Sequence, residues 1–321
     1  VNVKASKIPR RPVEYIWKEH IPYGMLSIVA GAPGKGKSTL ALDIAAEVSH
    51  DEPVIVSSYE EPTQESIIPK LEAAGADMDN VDVQKYRFPG GIKKLTKYVE
   101  SEGARLLIMD TASDHSPASI YHVRDIRTTF EPLVELCDQT DLAILMVSHT
   151  VKKVDLKADP LNAIGGSQGG LAAMCRVAYL FGLSPKDLDE RVLVQLKCNI
   201  DYDRPTLKFG MDVHEFDDGM TAPFLIDLGK TNATAYEVFQ AQPKSDPKKM
   251  ENIAEWMIES LFAAGGQVNG KQMIDKGREL GYTSRMVLRV RDHLEIEDIE
   301  GNWKLPPVPL EANIEEEDGR E

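Results

Sequence analysis

The stretch Gly31-Ala32-Pro33-Gly34-Lys35-Gly36-Lys37-Ser38-Thr39 constrains the fold of this chain more than any other, because it fits the pattern GxxxxGK[ST] in a setting that gives the pattern meaning. Met25–Ala30 before it is a short apolar run of the kind that forms a buried strand. Ser38–Ser49 after it carries Leu40, Ile44, Ala45 and Val48 at helical spacing. A glycine-rich turn from strand to helix lets the backbone curl so that several N–H groups point at one anion. The helix then presents its positive N-terminus to the same anion. Gly31, Ala32, Pro33, Gly34, Lys35, Gly36, Lys37, Ser38 and Thr39 are therefore expected to hold the phosphates of ATP. Lys37 would reach the β- and γ-phosphates and Ser38 would ligate Mg²⁺.

The pattern repeats along the chain. Pro53–Ser57 reads as a strand, Thr63–Ala74 as a helix and Val81–Arg87 as a third strand. Ile92–Glu102 reads as a helix, Arg105–Asp110 as a strand, Val123–Gln139 as a helix and Leu142–Ser148 as a strand. Ala173–Leu183 and Arg191–Cys198 read as two further strands. Continuous apolar strands alternating with helices predict an α/β core, a mostly parallel sheet covered on both faces.

Three carboxylates and a histidine fall at predicted strand ends, where ligands bind in such sheets. Asp110 closes Leu106-Leu107-Ile108-Met109 and is expected to hold Mg²⁺, as the acid of a Walker B strand does. Hydrolysis also needs a group that orients or deprotonates water. Glu60 is expected to be that base, with Glu61 assisting. Ser148 and His149 end their strand, and His149 is read as a sensor of the γ-phosphate.

Composition narrows the rest. The 321 residues suffice for one large domain and one small one. The net charge of −15 argues against a surface that coats duplex DNA throughout, while leaving room for a local basic channel. Cys137, Cys175 and Cys198 are scattered without a CxxC pair, which speaks against zinc or a disulfide framework. No apolar run is long enough for a membrane span, and Val1–Arg11 lacks the apolar core of a secretory signal; a cytoplasmic protein is expected.

The expected domains are a lead-in over 1–24, a core over 25–230, a polar linker over 231–249, a small domain over 250–307 and an acidic tail over 308–321. In the small domain, Ile253–Ala264, Gly270–Leu280 and Ser284–His293 read as helices. Ile296–Ile299 and Asn302–Leu305 read as a hairpin, an order that suits a winged helix-turn-helix. Arg285 and Arg289, with Ser284 and Arg291, lie on or near the third helix, where they are positioned for a major groove or for phosphates. Glu295–Glu300 nearby would repel DNA, so a protein partner for this face, or for the acidic tail, fits equally well.

Taken in order, these pieces resemble the RecA/DnaB-type ATPases and, more narrowly, the phage- and plasmid-encoded hexameric replicative helicase ATPases of the RepA-like group. The resemblance rests on Pro12-Val13-Glu14-Tyr15-Ile16-Trp17 and Ile21-Pro22-Tyr23-Gly24 ahead of the loop, Tyr59-Glu60-Glu61-Pro62, and Val147-Ser148-His149-Thr150. It also rests on Gly165-Gly166-Ser167-Gln168-Gly169-Gly170 with the following Ala172–Arg176. It covers roughly residues 12–210. It implies a RecA-like core and a homo-oligomeric ring, usually of six subunits, working on single-stranded DNA with ATP at each interface. A neighbouring subunit then supplies a cation to the γ-phosphate. Lys197 stands where the family keeps a finger lysine. Asn199 replaces the arginine often found two residues on, and Arg204 is the substitute candidate. Thr150–Gly170 corresponds to a pore loop, and Lys152, Lys153 and Lys157 are its candidate contacts to the strand.

The leading expectation is a DNA-dependent ATPase motor of replication or recombination. A metal-dependent nuclease on the same core competes with it, prompted by Asp110, Asp114 and His115 near Glu60. A non-motor, ATP-switched loader or regulator is the third reading.

Overall fold

The computed structural model of the protein describes residues 3–117, 122–151, 159–164, 170–187, 189–240 and 247–305. They divide into two compact units, one up to residue 245 and one from residue 246.

The first unit contains strands β1 (Tyr15–Trp17), β2 (Ile21–Pro22), β3 (Leu26–Gly31) and β4 (Val54–Ser58), with helix α1 (Lys37–Ser49) between the last two. A single π-helical turn, Thr63–Ile67, leads into α2 (Ile68–Ala73) and then β5 (Val81–Val83). Next come α3 (Ile92–Glu102), β6 (Leu106–Asp110), α4 (Val123–Thr140), β7 (Ala143–His149), α5 (Gly170–Met174) and β8 (Val177–Leu183). β9 (Glu190–Cys198), β10 (Thr206–Glu215), β11 (Thr221–Thr231) and α6 (Ala235–Gln240) complete the unit.

One nine-stranded sheet runs β11-β10-β9-β8-β3-β7-β6-β4-β5. The pairings from β8 through β3, β7, β6 and β4 to β5 are parallel, and β9, β10 and β11 add antiparallel strands beyond β8. The parallel centre explains the continuous apolar strands, since alternate residues enter opposite cores. Ile28, Leu107, Met109, Ile144 and Met146 face one cluster with Phe130 and Leu133 of α4. Val29, Leu106, Ile108, Leu145 and Val147 face the other with Leu40, Ile44 and Val48 of α1.

The second unit contains α7 (Pro247–Ala263), β12 (Gln267–Asn269), α8 (Gly270–Glu279), α9 (Ser284–His293) and the hairpin β13 (Glu297–Ile299)–β14 (Asn302–Lys304). Its three strands pair antiparallel in the order β12-β14-β13. Ile253, Met257 and Leu261, spaced by four on α7, meet Met273, Met286, Val287, Val290 and Trp303 in one core. Asn269 and Thr283 cap α8 and α9 by accepting from the N–H groups of Gln272 and Met286, and Gly281 turns between the helices at φ +81°.

Several expectations are corrected. The third strand stops at Val83, because the chain leaves the sheet so that Tyr86 and Phe88 can be buried. The expected strand over 173–183 is α5 followed by β8. The long β10–β11 hairpin was not anticipated as strands; Lys208, Gly210 and Asp212 break up its apolar pattern. The lead-in contributes a hairpin whose Trp17 and Ile21 are buried in the core. Within the stretch read as linker, Ala235, Val238 and Phe239 of α6 pack against Leu180, Val192 and Val194.

Candidate nucleotide site

Four neighbouring strands end on one edge of the sheet. Gly31 of β3 lies beside His149 of β7, β6 is next, and its Asp110 lies beside Ser58 of β4. The Tyr59 N–H donates to the Asp110 carbonyl at 3.2 Å and draws the end of β4 to the end of β6. The topology thus gathers the phosphate loop, Asp110, Glu60, Glu61 and His149 along this edge.

The loop's glycines are needed for two different reasons. Gly34 and Gly36 hold φ of +70° and +90°, the left-handed region that side chains disfavour. Gly31 is a matter of space: a Cβ there would lie 2.1 Å from the carbonyl oxygen of Phe181. Gly36 caps α1, and its carbonyl accepts from the Leu40 N–H at 2.9 Å. Ala32, Pro33 and Gly34 are exposed, Lys35, Gly36 and Ser38 half-buried, Lys37 and Thr39 buried. Lys37 Nζ donates to the Ala32 carbonyl at 3.0 Å, folding the ammonium back over its own loop. Burial pulls its pKa down, and the negative charges of Asp110 and Glu60 resist that pull.

Asp110 is buried, and burial pushes its carboxyl up to about 6; a hydrogen bond from the Ser38 hydroxyl and the charge of Lys37 work against the rise, while Glu61 and Glu60 add to it. Its Oδ1 is buried without a hydrogen-bond partner among the described residues. A buried, unpartnered carboxylate oxygen next to a serine hydroxyl is a donor set for a hard, oxygen-seeking cation. No group of three or more His, Cys, Asp or Glu side chains among the described residues is arranged to hold a metal. A cation here would complete its shell with phosphate oxygens and water, as Mg²⁺ does.

The two adjacent glutamates diverge. Glu60 is exposed, and its Oε1 lies 3.3 Å from His149 Nε2 across the strand ends. Glu61 stays beside Ser38 and Asp110 but is engaged: Lys70 Nζ donates to both its oxygens at 2.6 and 2.7 Å, and Ser66 Oγ donates to Oε2 at 2.8 Å. The Glu61 carboxylate thus ties α2 and the turn before it to the edge that carries Asp110. Nothing in the local sequence marks Lys70 as its partner. Ser148 is buried, with Oγ 3.4 Å from the His149 carbonyl.

The candidates outside this edge fare differently. Lys197 pairs with Ala178 on β8, level with Ile28 and hence three residues short of Gly31, so it cannot serve its own loop. Its Nζ donates to the carbonyls of Cys175, Ala172 and Ala173 at 2.7, 2.9 and 3.5 Å and caps the end of α5. Arg204 is no free cation: it pairs with Asp201 at 2.7 Å and Glu19 at 3.3 Å, lies over the rings of Tyr202 and Tyr15, and its side chain is only 5% exposed. Lys152, Lys153 and Lys157 lie outside the described residues. Arg285 is exposed on α9, Arg289 points its Nη2 at Met250 Sδ, and Arg291 pairs with Asp292 and Asp298. His115 is fully buried, with Nδ1 2.7 Å from the Thr111 carbonyl and Nε2 2.8 Å from Ser57 Oγ. That inward placement removes it from any metal cluster with Asp110 and Asp114.

A family model described as an AAA domain matches residues 1–155. The DNA repair protein RadA of Aquifex aeolicus (strain VF5) is 27% identical over 136 residues, which are 40% of this chain and 29% of RadA. Among solved structures, one described as an ATPase domain aligns with a TM-score of 0.47 at 15% identity, covering 61% of this chain and 82% of that one. The KaiC-like protein PH0186 of Pyrococcus horikoshii OT3 aligns at 0.45 and 15%, covering 66% and 100%. The RadB recombinase aligns at 0.44 and 12%, covering 63% and 91%. No described helix is long and apolar enough to cross a membrane.

Proposed function

We infer that the chain is a RecA/DnaB-type P-loop ATPase and an ATP-driven motor that works on single-stranded DNA as a ring of identical subunits, a reading supported by the AAA-domain match and the RadA similarity. The observation that carries the hydrolytic half is the separation of charges on one edge. A buried cation, Lys37, and a buried carboxylate, Asp110, stand beside an exposed carboxylate, Glu60, on a neighbouring strand end. Lys37 takes the β- and γ-phosphate oxygens after releasing the Ala32 carbonyl, and the loop N–H groups take the rest. Ser38 and Asp110 would hold Mg²⁺, whose chemistry there would be to neutralise phosphate charge. Glu60, with its solvated carboxylate, orients the attacking water and accepts its proton. His149 holds Glu60 on one side and adjoins the loop root at Gly31, where it senses whether a γ-phosphate is present.

The DNA half rests on the resemblance to replicative helicases and on the RadA similarity. A ring gives Lys197 a task its own subunit cannot: reaching a neighbour's γ-phosphate, once it leaves the α5 carbonyls. The second unit is read as a winged helix-turn-helix, from its helix–strand–helix–helix–hairpin order, and as the carrier of a DNA or protein contact. ATP turnover measured with and without single-stranded DNA, followed by unwinding of a forked duplex, tests the reading. Stimulation with directional unwinding is expected. Turnover that ignores DNA and leaves the fork intact would point to a switched loader instead.

A further inference from the structure

A second surface on the same sheet edge has chemistry that the nucleotide site does not use. Between Asp82 and Glu100 the sequence holds five basic residues, Lys85, Arg87, Lys93, Lys94 and Lys97, and no acidic one, in a chain of net charge −15. All five are exposed, and none forms an ion pair with a described carboxylate. Three of them lie over aromatic rings. Arg87 and Lys85 lie over Tyr59 at 4.6 and 5.4 Å, and Lys94 lies over Tyr86 at 5.1 Å. The rings of Tyr59, His115, Phe88 and Tyr86 touch in series. Asp82 accepts from the Tyr98 hydroxyl and Asp114 from Thr111 Oγ1.

Helix α3 begins here with Lys93 and Lys94 in its first turn and no acid, the reverse of what its dipole favours. Like charge gathered at a positive helix end is relieved by an anion from outside. Exposed cations around a half-exposed tyrosine match a backbone of phosphates carrying flat bases. No large apolar side chain is exposed between residues 83 and 99, so the surface offers nothing to insert into a lipid layer.

We propose that Tyr59, Lys85, Arg87, Lys93 and Lys94 form a single-stranded nucleic-acid contact distinct from the pore loop, placed to report on hydrolysis. Tyr59 directly precedes Glu60, and its N–H bonds the Asp110 carbonyl. A strand that engages Tyr59 therefore acts on both carboxylates of the nucleotide site. The inference rests on the DNA-motor reading and adds to it a location.

The test is fluorescence anisotropy of a labelled oligo-dT of about 20 nucleotides, longer than one ~4–16-nucleotide site. The full chain is used with Mg²⁺ and a non-hydrolysable ATP analogue, over a range of salt. The double variant Arg87→Gln/Lys94→Gln is expected to bind at least about tenfold more weakly at moderate salt. Its log–log salt slope should be shallower by about 1.4, or ~0.7 for each phosphate contact removed. Arg87→Lys should keep the slope, and Tyr59→Leu should weaken binding without changing it. Lys93→Gln/Lys94→Gln, confined to the exposed face of α3, repeats the test if another variant fails to melt like wild type. Unchanged affinity and slope in the charge variants, with wild type binding DNA, would overturn this site alone. Failure of wild type to bind the oligonucleotide, or binding of anionic vesicles in its place, would overturn the site together with the motor reading.

Discussion

Glu60 leaves its strand toward His149, 3.3 Å away, while Glu61 folds back onto Lys70 at 2.6 Å. The sequence places both at a strand end, and adjacency alone cannot say which faces the phosphates. What distinguishes them in the structure is engagement: Lys70 of α2 and Ser66 of the π-helical turn bind the Glu61 oxygens, whereas Glu60 is exposed. Glu60→Gln should lower kcat by about 10²–10⁴-fold with nucleotide affinity retained, the loss expected of a general base. Glu61→Gln should instead lower the melting temperature and leave most of kcat. The reverse pattern in steady-state kinetics and thermal melts would exchange the two assignments.

Asp43, which the sequence did not single out, behaves as a buried acid. It borders a cavity of about 280 Å³ between α1 and β11, and both its oxygens accept from the Leu225 N–H at 3.2 Å. Burial pushes its carboxyl from 3.8 up to about 8. The folded state therefore keeps a proton that the unfolded chain has lost, and this contribution to stability is present below about pH 4 and lost as the pH rises to about 8. Asn mimics the neutral acid, so Asp43→Asn should change the melting temperature little below about pH 4 and raise it progressively more between about pH 4 and pH 8. A variant whose difference from wild type does not change with pH would refute the shift.

At the scale of elements, strands buried on both faces were readable because apolar continuity reports burial directly. Asp110 at the end of β6 followed from that local pattern, and the loop between β3 and α1 from its glycine and lysine spacing. β10 and β11 were not readable, since a strand outside the parallel centre needs no continuous apolar run. The surroundings of Lys197 and Arg204 were hidden for a related reason: a cation's sequence position says nothing about the carbonyls and carboxylates that fold around it. In the second unit the decisive residue is Trp303, 2% exposed and packed so closely on Gly270 that a Cβ there would lie 2.4 Å from its Nε1. Trp303→Ala should cost about 3–5 kcal/mol, much of what so small a core supplies. Hydrogen exchange should then show lost protection over 247–305 and retained protection in β3, β6 and β7. Protection retained in both units would refute an independent core centred on Trp303.

For the whole molecule, net charge is a poor guide to partners. A chain of charge −15 concentrates an uninterrupted basic segment beside its nucleotide edge, and the average conceals it. The proposed function depends on phosphate being bound by the loop whose Gly36 caps α1, because the roles proposed for Glu60, Asp110 and His149 all refer to that one position. ATP turnover by Lys37→Ala, measured with Mg²⁺ and saturating single-stranded DNA against wild type, tests this most directly. Multiple turnover by wild type and none above background by the variant is the predicted result, and undiminished turnover in the variant would contradict it.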